Sequence, residues 1–168
     1  MRGFQGINLI ALGRKLILLV LLCTAVIISH FALTTNSASL EAMFAVNQVF
    51  AVTSAADSGP GTLRQAMLDM AAGDTITFDT AVFPPTSPVT ITLQTELPTI
   101  ALDDIIIDAS DAGVILDGSQ IALANSAGLN ITGGDSVTVR GLQIVNFTFA
   151  GIHLAQGTTN AVIGGDRL

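Results

Sequence analysis

Asp108, Asp111 and Asp117 lie in one short stretch, and Arg140 follows Asp117 by about 23 residues, a distance in the range of structural repeats. Carboxylates gathered on one face hold a hard cation such as Ca²⁺, and a neighbouring Arg can act as the base that takes a substrate proton. The same residues equally make a plain ion pair beside a turn, worth little at a surface. The second reading is adopted, so no catalytic, metal-binding or cofactor-binding residue is assigned and no cofactor is expected. Asp103 and Asp104 form another acidic pair, read as a solvated turn. His153 follows Asn130 at the same spacing as Arg140 follows Asp117, and is read as the partner of that amide in a polar ladder. The other histidine, His30, lies in a different kind of segment, so a His-based metal site has too few ligands. Gly164-Gly165-Asp166 lacks the Lys-Ser/Thr that follows in a phosphate-binding loop. Asn130-Ile131-Thr132 and Asn146-Phe147-Thr148 fit the glycosylation sequon and are read as coincidences.

Composition narrows the function classes. Half of the 168 residues are apolar and 11% are charged, which excludes a disordered polyelectrolyte. Six basic against thirteen acidic residues give a net charge of −7, the wrong sign for a nucleic-acid binder. Sugar sites usually stack their ligand on aromatic rings, yet the chain has eight Phe and neither Trp nor Tyr. Most of those Phe sit in patterns that read as core. A single cysteine excludes both an internal disulfide framework and a CxxC site.

The opening segment, 1–38, reads as an export signal rather than part of a fold. Arg2, Arg14 and Lys15 precede the apolar run Leu16 to Ile28, and no acid appears before Glu41. A basic region followed by about 7–15 apolar residues is the secretory pattern. Ser37-Ala38-Ser39 supplies a candidate cleavage site. The alternative is an uncleaved membrane anchor over residues 16–33. Cys23 is read as an apolar residue of this run. What remains keeps all thirteen acids but only Arg64, Arg140 and Arg167.

A linker (39–48) leads to a short cap (49–73). Val49 to Ser54 is rich in strand formers, and Asp57-Ser58-Gly59-Pro60-Gly61 is a turn cluster. Thr62-Leu63-Arg64-Gln65 fits a capping box, with Thr62 as N-cap and Gln65 reaching back to it. Leu63, Ala66, Met67 and Met70 fall at helical spacing, so a helix of about two turns ends before Gly73. From residue 74 to 168 the texture changes to short β-branched pieces separated by Gly, Asp, Asn or Ser. Leu116-Asp117-Gly118, Val139-Arg140-Gly141 and Val162-Ile163-Gly164 recur at one constant step, and Ala127 to Ile131 recurs as Ala150 to Leu154 at the same step. A fixed period with no helical pattern predicts an all-β, right-handed parallel β-helix with coils of about 23 residues. In that register Arg140 lies one coil above Asp117. Leu168 falls in mid-coil, which reads as the N-terminal fragment of a longer protein.

Phe50 to Ser54, Asp57-Ser58-Gly59 and Thr62 to Ala66 resemble the N-terminal motif of exported right-handed parallel β-helix proteins. In the CSLREA form of that motif a cysteine precedes the serine; Gly61 stands there, so the match is to a relaxed form. Gly73 to Asp79 and Val137 to Phe147 resemble coils of pectate-lyase-like β-helices. The resemblance implies export and a solenoid. It leaves two roles open: a cell-surface or secreted adhesin-like protein binding a surface polysaccharide or host-surface ligand, or the N-terminal part of a polysaccharide lyase or glycoside hydrolase. No nucleic acid is expected as a partner, and a membrane only through residues 16–33. End-to-end self-association at an uncapped last coil is a further expectation.

Overall fold

A computed structural model describes residues 47–165. The predicted export segment, most of the linker, Cys23, Phe44 and Leu168 lie outside the described residues. Among those described, no helix is long and apolar enough to cross a membrane.

The chain folds as a parallel β-solenoid of about four turns with three faces. The first face stacks β1 (Val49–Val52), β2 (Thr75–Phe78), β4 (Ile106–Asp108), β7 (Thr138–Arg140) and β10 (Val162–Ile163) in that order. The second stacks β3 (Val89–Thr92), β5 (Val114–Asp117) and β8 (Leu142–Val145). The third pairs β6 (Ala127–Ile131) with β9 (Ala150–Leu154). Every ladder is parallel, and each coil visits the faces in the same sequence.

These pieces form strands because β-branched residues alternate between inside and outside with period two. In β2 the pattern alternates from half-buried Thr75 to buried Ile76 and on to buried Phe78. One period up, the inward residues meet their own kind. Ile76, Ile107 and Val139 stack on the first face at 0–2% exposure, and Ile91 and Leu116 stack on the second. Ile100 and Ile131 do the same on the third. Each fully buried aliphatic side chain contributes about 1.5–3 kcal/mol relative to exposure.

The coils are not of equal length, which corrects the 23-residue register. That step holds between β6 and β9 on the third face, where Ala127, Leu129 and Asn130 sit opposite Ala150, Ile152 and His153, but not one coil earlier, where Ile100 sits opposite Ile131. On the first face the steps are longer or different, since Val49, Thr75, Ile106, Thr138 and Val162 are successive partners. Leu116 belongs to the second face and pairs with Ile144, whereas Val139 belongs to the first and pairs with Ile107 and Ile163. The difference arises at the corners. Inserted turns such as residues 118–126 lengthen the path between faces without disturbing the strands they connect.

The predicted short helix forms with Thr62 as its N-cap, and its capping box is corrected in detail. Helix α1 (Leu63–Asp69) buries Leu63, Ala66 and Met67 in the core at the N-terminal end. Thr62 is its N-cap and its hydroxyl accepts from the Gln65 amide. The reciprocal half of the box does not form. The Gln65 amide group donates instead to Asp69 one turn on, and the Thr62 amide donates to the Gly59 carbonyl. Arg64 clamps the cap to the first coil, donating to Asp57 and to the carbonyls of Thr95 and Glu96. The Glu96 carboxylate in turn accepts from the Ala127 amide one coil on.

Candidate functional site

The polar residues on the outer faces are organised by the coil register. Asp108 and Arg140 occupy neighbouring rungs of the first face, with the guanidinium 3.4 Å from the carboxylate. Arg140 therefore lies above Asp108, not above Asp117 as the 23-residue step implied. Asp117 sits on the second face, where it accepts from the Asn146 amide at 2.8 Å and from the Ser119 amide and hydroxyl. Asp111 is exposed in the turn after β4. The structure thus unites Asp108 with Arg140 and leaves Asp117 to other partners. Among the described residues, no group of three or more His, Cys, Asp or Glu is placed to hold a metal ion.

The other sequence candidates fall into similar pairs. His153 Nδ1 lies 3.1 Å from the Asn130 side-chain oxygen, as the 23-residue step on this face required. Its ring also meets Phe149 edge-on at 5.0 Å. Asp103 accepts from the Asp135 amide of the next coil. Asp104 is exposed in the same turn. The Phe residues divide as their patterns suggested: Phe78 and Phe83 are buried, Phe50 and Phe147 are packed against the core, and Phe149 is exposed.

Sequence reading missed one feature at this corner. Gly73, Asp104, Ser136 and Asn160 each precede a first-face strand by the same offset, and each has positive φ, from 50° to 87°. Their backbones form a ladder, Gly73 donating to Asp103, Asp104 to Asp135, and Ser136 to Thr159. Gly, Asp and Asn tolerate this left-handed conformation, which turns the chain sharply into the next strand. The signal was present as a turn-forming residue two places before each first-face strand. An open groove of about 500 Å³ runs beside this ladder, lined by Gly73, Asp104, Ser136, Thr75 and Thr138 among others. A second, more apolar groove of about 570 Å³ lies between Gln94–Glu96 and Ile121–Leu123.

Three of the outer carboxylates are held below the ordinary Asp value. For Asp117 the Asn146 amide is the main cause, with Ser119 adding to it. For Asp135 the Thr159 hydroxyl leads and Asn160 follows. At Asp108 burial pushes upward, and the Ser110 hydroxyl and amide together with Arg140 outweigh it. A depressed folded-state value stabilises the protein above the unfolded value of about 3.9 and is lost as pH falls through the folded value. The melting temperature is therefore expected to hold from neutral pH down to about pH 5 and to fall below about pH 4. A thermal-melt series on Asp117→Asn and Asp135→Asn checks this, with lower stability at pH 7 and a shallower acid decline than the parent.

In comparisons with protein-family models, curated proteins and solved structures, the chain gave no match.

Proposed function

We propose that this protein is an exported β-solenoid that serves at the cell surface or in the surroundings as a structural, adhesin-like scaffold. The observation that carries this reading is the use made of its outer polar groups. Asp108 is bound to Ser110 and Arg140, Asp117 to Asn146 and Ser119, and Asp135 to Thr159 and Asn160. Asn130 meets His153 in the same way, and the buried Ser126 meets Thr148. Carboxylates committed to their own turns and neighbouring coils stiffen a stack. A reaction centre needs such groups convergent on one substrate. The basic and apolar start of the sequence supports export, and the cap and coil motifs support a place among pectate-lyase-like β-helix proteins with a relaxed CSLREA-type cap. Along the first face, the groove beside the left-handed ladder offers hydroxyls and backbone groups suited to a surface polysaccharide.

One observation favours the enzyme reading, in which the chain is the N-terminal part of a polysaccharide lyase or glycoside hydrolase. Arg140 Nε is buried with no hydrogen-bond partner among the described residues, beside the Asp108 carboxylate. One measurement tests what both readings share, and a second separates them. Fractionation of cells expressing the full chain is expected to place it outside the cytoplasm, and retention in the cytoplasm overturns both. Incubation with bacterial and plant polysaccharides is expected to yield binding without new reducing ends or unsaturated products. Turnover abolished by Arg140→Ala would replace the scaffold reading with the enzyme.

A further inference from the structure

The groove beside the left-handed ladder repeats its chemistry along the solenoid axis. Thr75, Ile106 and Thr138 are register partners on three successive rungs of the first face. All three are half-buried and point outward, since their neighbours Ile76, Ile107 and Val139 fill the core. Adjacent rungs lie about 4.8 Å apart, so the two threonines stand about 10 Å apart with one aliphatic side chain between them. Asp104 and Ser136 run beside this row on the ladder and line the same groove. Recognition groups spread over three coils suit an elongated, repeating ligand better than a compact one.

Charge selects among such ligands. No aromatic ring lines the groove, so a sugar finds no stacking platform there. Neutral hydroxyl contacts exchange water for ligand at a net gain of only about 0.5–1.5 kcal/mol each. Asp104 is the exception. Its carboxylate is exposed and makes no ion pair or hydrogen bond among the described residues, whereas Asp108, Asp117 and Asp135 are all engaged. A hydrogen bond from a cation to such a group is about twice as strong as a neutral one. The surroundings favour the same sign of ligand. Residues 47–165 contain eleven acids and two Arg, and both Arg are paired, with Asp57 and Asp108. A uronate chain would meet like charge here, and an ammonium group meets the opposite. We propose that this groove binds a glycan that carries free amino sugars. Asp104 pairs with a sugar ammonium, Ile106 packs against the C–H face of a ring, and Thr75 and Thr138 bond hydroxyls of neighbouring sugars. The inference rests on the adhesin-like reading and gives it a ligand class.

Isothermal titration of the full chain tests this, in a polyoxyethylene detergent that keeps the apolar N-terminal segment dispersed. The probes are hexamers of β-1,4-linked glucosamine, of its N-acetylated form and of galacturonate. The glucosamine hexamer is expected to bind at least about tenfold tighter than the N-acetylated one, and galacturonate to give no binding heat. Its affinity should fall at least about tenfold between about 0.1 and 1 M salt, as the screening length shortens from about 10 to 3 Å. Asp104→Asn keeps a residue that tolerates the φ of 56°, and is expected to bind the glucosamine and N-acetylated hexamers alike. Thr138→Val keeps a β-branched residue in the strand and should weaken both hexamers, with parental circular dichroism. Asp111→Asn removes an exposed charge outside the groove and should leave the affinity unchanged. A parent that does not bind the glucosamine hexamer, or equal losses in Asp104→Asn and Asp111→Asn, overturns the proposal. Tight binding of the N-acetylated or uronate hexamer, unaltered by Asp104→Asn, overturns the amino-sugar site and leaves the adhesin-like reading standing. New reducing ends from a hexamer whose binding needs Asp104 would support the site and end the scaffold reading.

Discussion

Ile107→Asp is expected to unfold the solenoid. Ile107 is fully buried in the middle of the first-face column, with Ile76 one coil below and Val139 one coil above. The substitution removes about 2 kcal/mol of apolar burial. It also places a carboxylate inside a column of aliphatic side chains, at a cost of several kcal/mol more. A domain of this size has about 5–15 kcal/mol in total, so the loss consumes most or all of it. Circular dichroism and urea unfolding are the readouts. Leu68→Asp, on the exposed side of α1, introduces the same charge at 62% exposure and should change the unfolding midpoint little. A folded Ile107→Asp protein with a near-parental midpoint would mean that the column does not exist.

The second large effect is expected at Gly141. Its φ is +76°, and a β-carbon there would overlap the Ala109 carbonyl group of the coil below. Gly141→Val therefore combines two penalties. The left-handed conformation costs a non-glycine residue about 1–2 kcal/mol, and more for a β-branched one. The overlap is with backbone, so relief requires the two coils to move apart and the ladder between them to weaken. A total loss of about 3 kcal/mol or more is expected in a denaturant titration. Gly133→Ala isolates the first penalty. Its φ is +73° with open space around the β-carbon position, so the expected loss is about 1 kcal/mol. Equal losses at the two positions would contradict the close approach of Gly141 to the rung below.

The contrast between these glycines explains how far the sequence could be read. Strands were legible because an interior of stacked aliphatic residues imposes period-two alternation on each piece, as in β2 and β5. The cap was legible because Thr62 and the Leu63, Ala66, Met67 spacing are local signals. Register was legible only between β6 and β9, where the path round the coil happens to be 23 residues. Elsewhere Leu116-Asp117-Gly118 and Val139-Arg140-Gly141 look alike although they occupy different faces. Strands on both faces end the same way, with an inward aliphatic residue, an outward polar one and a turn. Self-similarity therefore reveals that coils exist without revealing which face a given strand joins. The misassigned partner of Arg140 follows directly from that ambiguity. The left-handed ladder escaped notice for a related reason, since Gly73, Asp104, Ser136 and Asn160 are ordinary turn residues until the strands they precede are aligned.

Cross-linking between coils tests the register, and with it the polar pairing on which the scaffold reading rests. In a Cys23→Ala background, the pair Asp108→Cys with Arg140→Cys places two thiols on adjacent parallel strands of the first face. Such strands lie about 4.8 Å apart, within the range a disulfide spans. The pair Asp117→Cys with Arg140→Cys places them on different faces. Mild oxidation followed by mass spectrometry is expected to show an intramolecular disulfide in the first variant and free thiols in the second. A disulfide in the second variant and none in the first would restore the uniform 23-residue coil and contradict the fold described.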